Sequence, residues 1–426
     1  IYFYTVVINF CFFIISILTF IVICKRFGLA SFVAAGYAGL FIYSIPVFIN
    51  KARYFYYLNS EFHLYSPSFE AMLVYLLVWV VFLCLVLLKS NNLYKVNSFN
   101  QSTYLLSKIF LYVGFILSIS IYIYSTFVHS QQVLVEGTQM STIILLIGRW
   151  IYALTFISSI IHKSFIPFIV LFYFLIDWAL GGDRTLFGIV MMSSIVVAIQ
   201  LKYNSTYVPF KYLFKMKIFS ALFLVIFIII FGKSIFVSID TENWSVFFNL
   251  FSENNLVDFL STSFEPMIIF NHIQHVIDRS VEMSLIDFMV SILSNLLIFP
   301  SAFGLNSNFY SQMLISSLEI EMSYGVAGNY WAHAYSVLGY IGIFIFALIY
   351  VNFLFFCDNF FLKKRGAARV LIALFGGLVS LYAHRNGFDN LLSFVRQILL
   401  AYFLIVSLSF FVKIIIKVRP NFRTAT

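Results

Sequence analysis

Uninterrupted apolar stretches, each about 17 to 25 residues long and so able to cross a ~30 Å hydrocarbon core, recur along almost the whole chain. They fall at about 1–24, 29–49, 71–88, 107–126, 142–160, 164–181, 186–201, 218–238, 332–356, 369–384 and 391–412, which predicts about eleven transmembrane helices. The runs are continuous rather than alternating, so they read as helices and not as the strands of a barrel. Because the chain opens on Ile1, eleven is read as a lower bound; the first run is too long for a cleavable signal peptide.

Residues 239–331 break this rhythm, and a segment of roughly ninety residues is too long to be a mere connection. Its stretch NNLVDFLSTSFEPMIIFNHIQHVIDRSVEMSLIDFMVSILSNLLIFP carries aromatic and aliphatic residues at helical spacing. This predicts two or three helices laid over the external face, the later one partly in the interface. The expected fold is an all-α polytopic membrane protein in three parts: N-terminal transmembrane helices over 1–238, an external (periplasmic) cap over 239–331, and C-terminal transmembrane helices with a cytoplasmic tail over 332–426.

Composition agrees, since 62% hydrophobic and 10% charged residues with a mean hydropathy of +0.98 exclude a water-soluble globule. Charge adds orientation. Lys25, Arg26, Lys89, Lys95, Lys108, Lys163, Lys202, Lys211, Lys215, Lys217, Lys363, Lys364, Arg365, Arg369, Lys413, Lys417, Arg419 and Arg423 fall in alternate loops and the tail, which should therefore be cytoplasmic. Nearly all the carboxylates fall in the opposite loops. The net charge of +9 thus reads as membrane anchoring and not as nucleic-acid binding. The four cysteines lie in or beside spans, so neither an external disulfide framework nor a cysteine metal site is expected.

The chemistry that remains is sparse and basic. In DWALGGDRTLFGIVMMSSIVVA, Gly181 and Gly182 permit a tight reversal between two apolar runs, and Asp183 and Arg184 sit at its outer edge. A plain reading makes Asp183 an N-cap and Arg184 a snorkelling cation. Yet the outer face holds few cations, Lys51, Arg53, Arg184, Arg279 and Arg385, while Arg149 and Arg396 fall inside expected spans, where arginine marks a polar site or a structural pair with a carboxylate such as Asp177. Arginine stays charged when desolvated and binds phosphate oxygens bidentately, so this set suits an anionic lipid headgroup.

On the cap, Glu265, Ile268, His272, His275 and Arg279 recur at steps of three and four, a helical stripe expected to be solvated or headgroup-facing, with a substrate-facing stripe as the alternative and no metal. Further on, LEIEMSYGVAGNYWAHAYSVLGYIG holds Glu319, Glu321, Tyr324, Asn329, Tyr330, Trp331, His333 and Tyr335, rings and amides of the kind that stack on and bond sugars, or else an interfacial aromatic belt. Arg385 lies in LYAHRNGFDN, where His384, Asn386 and Asp389 could hold its guanidinium or bond a sugar.

This layout of many spans, a mid-chain GGDRTLFGIV turn, a large late external loop and the GNYWAHAYSVLGYIG passage resembles the bacterial O-antigen polymerase family, the Wzy-type oligosaccharide repeat-unit polymerases. The resemblance implies transfer of a growing glycan from undecaprenyl pyrophosphate to the non-reducing sugar of a second lipid-linked unit, at the periplasmic face of the inner membrane. It implies membrane lipids and a chain-length regulator as further partners, and no cofactor. Arg184, Arg279 and Arg385 would meet the leaving pyrophosphate, with Arg149 and Arg396 in support. His333 would be the base for the acceptor hydroxyl, ahead of Glu321, Glu265 and His272, and displacement by that hydroxyl would invert the anomeric carbon. Substrate contacts would extend to Asp183, Tyr324, Asn329 and Tyr335. Three other classes stay open: an O-antigen ligase, a lipid-linked glycan flippase or transporter, and an O-acyltransferase, which would need an intramembrane histidine.

Overall fold

The computed structural model describes residues 2–53, 64–89, 101–131, 139–180, 184–203, 205–206, 235, 238–239, 241–248, 265–298, 303–305, 309–318, 328–364 and 366–418. Among the described residues the regular structure is α-helical but for one antiparallel bridge between β1 (Ala52–Arg53) and β2 (Leu64–Tyr65). Seven of its helices are long and apolar enough to cross a membrane, so the protein is a multi-pass, all-α membrane protein. They are α1 (Tyr2–Arg26), α4 (Phe69–Leu88), α5 (Gln101–Gln131), α6 (Gln139–Ile161), α8 (Arg184–Tyr203), α13 (Tyr330–Lys363) and α15 (Phe388–Val418). Shorter helices are α2 (Phe32–Tyr43), α3 (Ile45–Ile49), α7 (Phe165–Leu180), α9 (Ser245–Phe248), α10 (Glu265–Asp278), α11 (Leu285–Leu296), α12 (Phe309–Leu318) and α14 (Ala367–Tyr382). Most of the span expected at 218–238 lies outside the described residues.

Two expected spans differ in kind from the hydropathy reading. The run at 29–49 breaks at Ser44: Pro46 in the first turn of α3 cannot donate to the preceding helix, and Asn50 ends α3 in the left-handed region at φ 51°. The more consequential break lies inside α13, where Leu338 (φ −142°, ψ 19°) and Gly339 (φ 57°, ψ −138°) leave helical geometry. Residues 330–337 fold back along 340–350. The Tyr330 and Phe346 rings lie 5.2 Å apart and those of Trp331 and Tyr350 5.7 Å apart, whereas sixteen or more residues of straight helix would separate them by ~24 Å or more. The expected entry into a span at 332 is therefore a re-entrant limb followed by a reversal. Only a glycine adopts the Gly339 conformation without strain.

The chain forms two compact units, each discontinuous in sequence. The first comprises residues 1–93, 206–356 and 378–393, and the second 94–205, 357–377 and 394–426. In the first, α1 packs on α2, α3 and α4, and α10 lies against α2, α3, α4 and β1. Arg26, at the C-terminal end of α1, donates to the carbonyls of Val86, Leu87 and Lys89 at the end of α4, so these two helices finish side by side. Phe355 approaches the same end, 5.0 Å from the Phe27 ring and beneath the Lys89 ammonium. Clustered cations there complement the unpaired C-terminal carbonyls. In the second unit α5, α6, α7 and α8 pack on one another.

Candidate functional site

Asn329, the N-cap of the re-entrant limb, organises the best-defined polar cluster, which lies wholly in the first unit. Its Oδ1 accepts from the backbone N–H groups of Trp331 (2.8 Å) and Ala332 (3.3 Å), satisfying two of the donors that a helix start leaves open. Its Nδ2 donates to the Tyr75 hydroxyl at 3.1 Å and the Ile269 carbonyl at 3.2 Å, tying the limb to α4 and α10. One turn on, His333 is fully buried. Tyr310 of α12 stacks flat on the imidazole, with centroids 4.1 Å apart and planes 4° apart, and Phe288 of α11 meets it edge-on at 5.6 Å.

His333 Nδ1 accepts the Phe388 backbone N–H at 3.1 Å, so the proton of the neutral ring sits on Nε2. That Nε2 is buried without a hydrogen-bond partner among the described residues, as are the Tyr310 hydroxyl and Asp389 Oδ2. The other Asp389 oxygen lies 3.8 Å from His333 Nδ1 and accepts the Asn390 N–H at 2.8 Å. A buried donor and two further polar groups left open in one cluster can bond a hydroxyl-bearing ligand, and otherwise each carries a desolvation cost of about 1–3 kcal/mol. Gly387 allows the crowding: a Cβ there would meet Asp389 Oδ1 at 2.7 Å, Tyr310 Cδ1 at 2.8 Å and His333 Nδ1 at 3.2 Å.

The turn after α14 brings the remaining groups. His384 is saturated: Trp331 Nε1 donates to its Nδ1 at 3.3 Å, its Nε2 bonds the Tyr350 oxygen at 2.8 Å, and Tyr350 donates onward to the Gly36 carbonyl at 3.1 Å. Arg385 forms an ion pair with Glu265 at the first residue of α10, both partly exposed. Thus His333, Asn329, Glu265 and Arg385, four of the residues singled out from sequence, gather around the segment 383–389.

The others lie elsewhere. Arg279 follows α10 and is exposed, ~20 Å of helix away from Glu265. The stripe on α10, expected to face solvent or headgroups, is divided: Arg279 is exposed, Glu265, Ile268 and His275 are half-buried, and only His272 turns fully inward. His272 is 5% exposed, and Asn271 and Gln274 beside it accept from the Tyr65 hydroxyl (3.1 Å) and the Ser68 N–H (2.9 Å). The reason is that α10 packs against α2, α3, α4 and β1, which encloses His272 with Asn271 and Gln274 and leaves the Arg279 end open. Burial, and then His275, push the His272 imidazole down to about 3; burial also lowers His275, with Arg279 adding, although its Nε2 meets the Ser317 hydroxyl at 3.0 Å. The Tyr310 hydroxyl is raised well above its ordinary value by burial, with Asp389 adding. Tyr335 is half-buried, its ring 5.3 Å from that of Tyr340.

Arg149, Arg184 and Arg396 belong to the second unit. Arg149 donates to Gln397 Oε1 at 3.0 Å and lies over the rings of Trp150 and Phe394 at 5.4 and 4.9 Å, so an amide and two aromatic faces hold it. Arg184 opens α8 and Arg396 is half-buried on α15. Asp183, Glu321 and Tyr324 lie outside the described residues. Among the described residues no three His, Cys, Asp or Glu side chains converge as metal ligands would. Tyr310 and Phe288 escaped the sequence reading, because a ring in an amphipathic helix carries no chemical signature until its neighbours are known; Gly387 is legible as the centre of a reversal but not as the close approach to His333 and Tyr310. Comparison with protein-family models, with curated proteins and with solved structures finds no match.

Proposed function

We propose that the protein is a membrane glycosyltransferase that polymerises undecaprenyl-pyrophosphate-linked oligosaccharide repeat units into a surface polysaccharide at the periplasmic face of the inner membrane. In this reading the chain crosses the membrane eleven or more times and the segment 239–331 lies on the outer side. The observation that carries it is the gathering of Arg385, Glu265, Asn329 and His333 around a re-entrant helix. Broken helices of this kind stay buried in protein or line polar cavities, where their ends and freed side chains serve ligands.

Arg385 supplies the charge for a pyrophosphate leaving group, and its partial exposure leaves it reachable. The orphaned His333 Nε2–H is a donor for a sugar hydroxyl. With His333 Nδ1 occupied by the Phe388 N–H, the Asp389 carboxylate beside it is the group left to accept the acceptor hydroxyl's proton, a refinement of the role first given to His333.

The test is glycan length after incubating the protein in liposomes with a lipid-pyrophosphate-linked repeat unit in EDTA. Wild type should build a ladder that Arg385→Ala loses and Arg385→Lys partly keeps, while Asp389→Asn lowers the rate by about 10²–10⁴. Transfer to a lipid A core acceptor without lengthening would make the protein a ligase, and movement of the unit across the bilayer at constant length would make it a transporter.

A further inference from the structure

Helix α11 presents an unusual division of faces. Leu285, Ile286, Met289, Leu293 and Leu296 point outward at steps of one, three, four and three, with Ile286 76% and Met289 61% exposed. Ser291, Ser294 and Asn295, on the opposite arc, are buried, and the two last donate to the Ser291 carbonyl at 2.9 Å each. A soluble surface would reverse this order. At 1.5 Å per residue α11 is ~18 Å long, too short to cross a ~30 Å core. No lysine or arginine occurs between 280 and 298, and the carboxylates Glu282 and Asp287 stand at its start, where Ser284 caps the helix by accepting the Asp287 N–H at 3.1 Å.

The surroundings name the occupant. Met283, just before α11, donates its N–H to the Ser336 carbonyl of the re-entrant limb at 2.8 Å, and Phe288 packs 5.7 Å from Phe346 on the returning limb. The outward side of that returning limb, Ile341, Phe344, Ile345 and Ile349, is an exposed apolar strip on a helix long enough to span the bilayer. The α11 face is joined to that strip through the same hairpin. We propose that α11 is an interfacial helix whose outward face lies among the acyl chains of the bilayer, so that Phe288, on its inward side, separates membrane lipid from the buried His333. The proposal requires a membrane protein and does not depend on which reaction the protein performs.

Photocrosslinking tests it. The full chain, carrying p-benzoylphenylalanine in place of Ile286 or of Met289, is reconstituted in phosphatidylcholine liposomes, irradiated and weighed by mass spectrometry, with the same probe at Ile341 as the spanning-helix reference. Co-elution with unsubstituted protein establishes the fold. Adducts of phosphatidylcholine mass at 286 and at 289 are expected. A covalent dimer from either position would assign the face to a second copy and overturn the proposal, and so would the absence of lipid adducts at both, whatever Ile341 gives. Glycan synthesis is not read, so this outcome and that of the polymerase assay fail separately.

Discussion

His272 shows how burial turns a residue chosen for chemistry into a determinant of stability. Its folded value of about 3 lies below the ordinary 6.5, so the unfolded chain binds the proton first. The stability it contributes is intact above about 6.5 and is lost as pH falls from there toward 3, at up to ~1.4 kcal/mol for each pH unit. Thermal unfolding in detergent should therefore move to lower temperature between pH 7 and pH 4.5, and His272→Phe should flatten that slope. At Asn329, Ala removes the cap and the bonds to Tyr75 and Ile269 and should cost about 1 kcal/mol for the cap alone, whereas Asp restores the cap and not the two donated bonds. A Tm of Asn329→Asp equal to wild type would show that those donated bonds carry nothing. Gly387→Ala pushes a methyl into His333, Tyr310 and Asp389, an overpacking cost of about 1–3 kcal/mol that the same scan reads.

At the scale of the element, the hairpin in α13 is where hydropathy and structure part. Apolar runs located α1, α4, α5, α6, α8 and α15 to within a few residues, because a span needs only length and low polarity. They were blind to direction: SVLGYIG is as apolar as its surroundings, and only the backbone of Leu338 and Gly339 reveals the reversal. The same limit hid the burial of His272 with Asn271 and Gln274 on α10, whose amphipathic pattern is equally that of a helix facing water. Arg385, Glu265, His333 and Asn329 were legible as chemical types; their nearness was not, since it depends on a fold-back between segments far apart in sequence. Gly339→Ala should strain the turn by about 1–3 kcal/mol, and the limb's contacts should report it. Native-state hydrogen exchange at residues 330–337 would then quicken more than at 345–360; uniform quickening would count against a locally hinged limb.

For the whole molecule, the sorting of lysine and arginine makes a directional prediction. A green fluorescent protein fused after Thr426 should fluoresce and an alkaline phosphatase fused there should be inactive, as a cytoplasmic tail requires; the opposite pair of results would invert the assigned topology. The chain that Trp331, His384, Tyr350 and Gly36 form has a consequence in time. Gly36 leaves the ribosome well before His384, yet its carbonyl accepts from a hydroxyl that is itself held by that histidine. At roughly 5–20 residues per second, that carbonyl waits about 20–70 s for the histidine to be made. Throughout that interval the network around the Gly36 carbonyl lacks its histidine, and the turn after α14 is the piece that completes it.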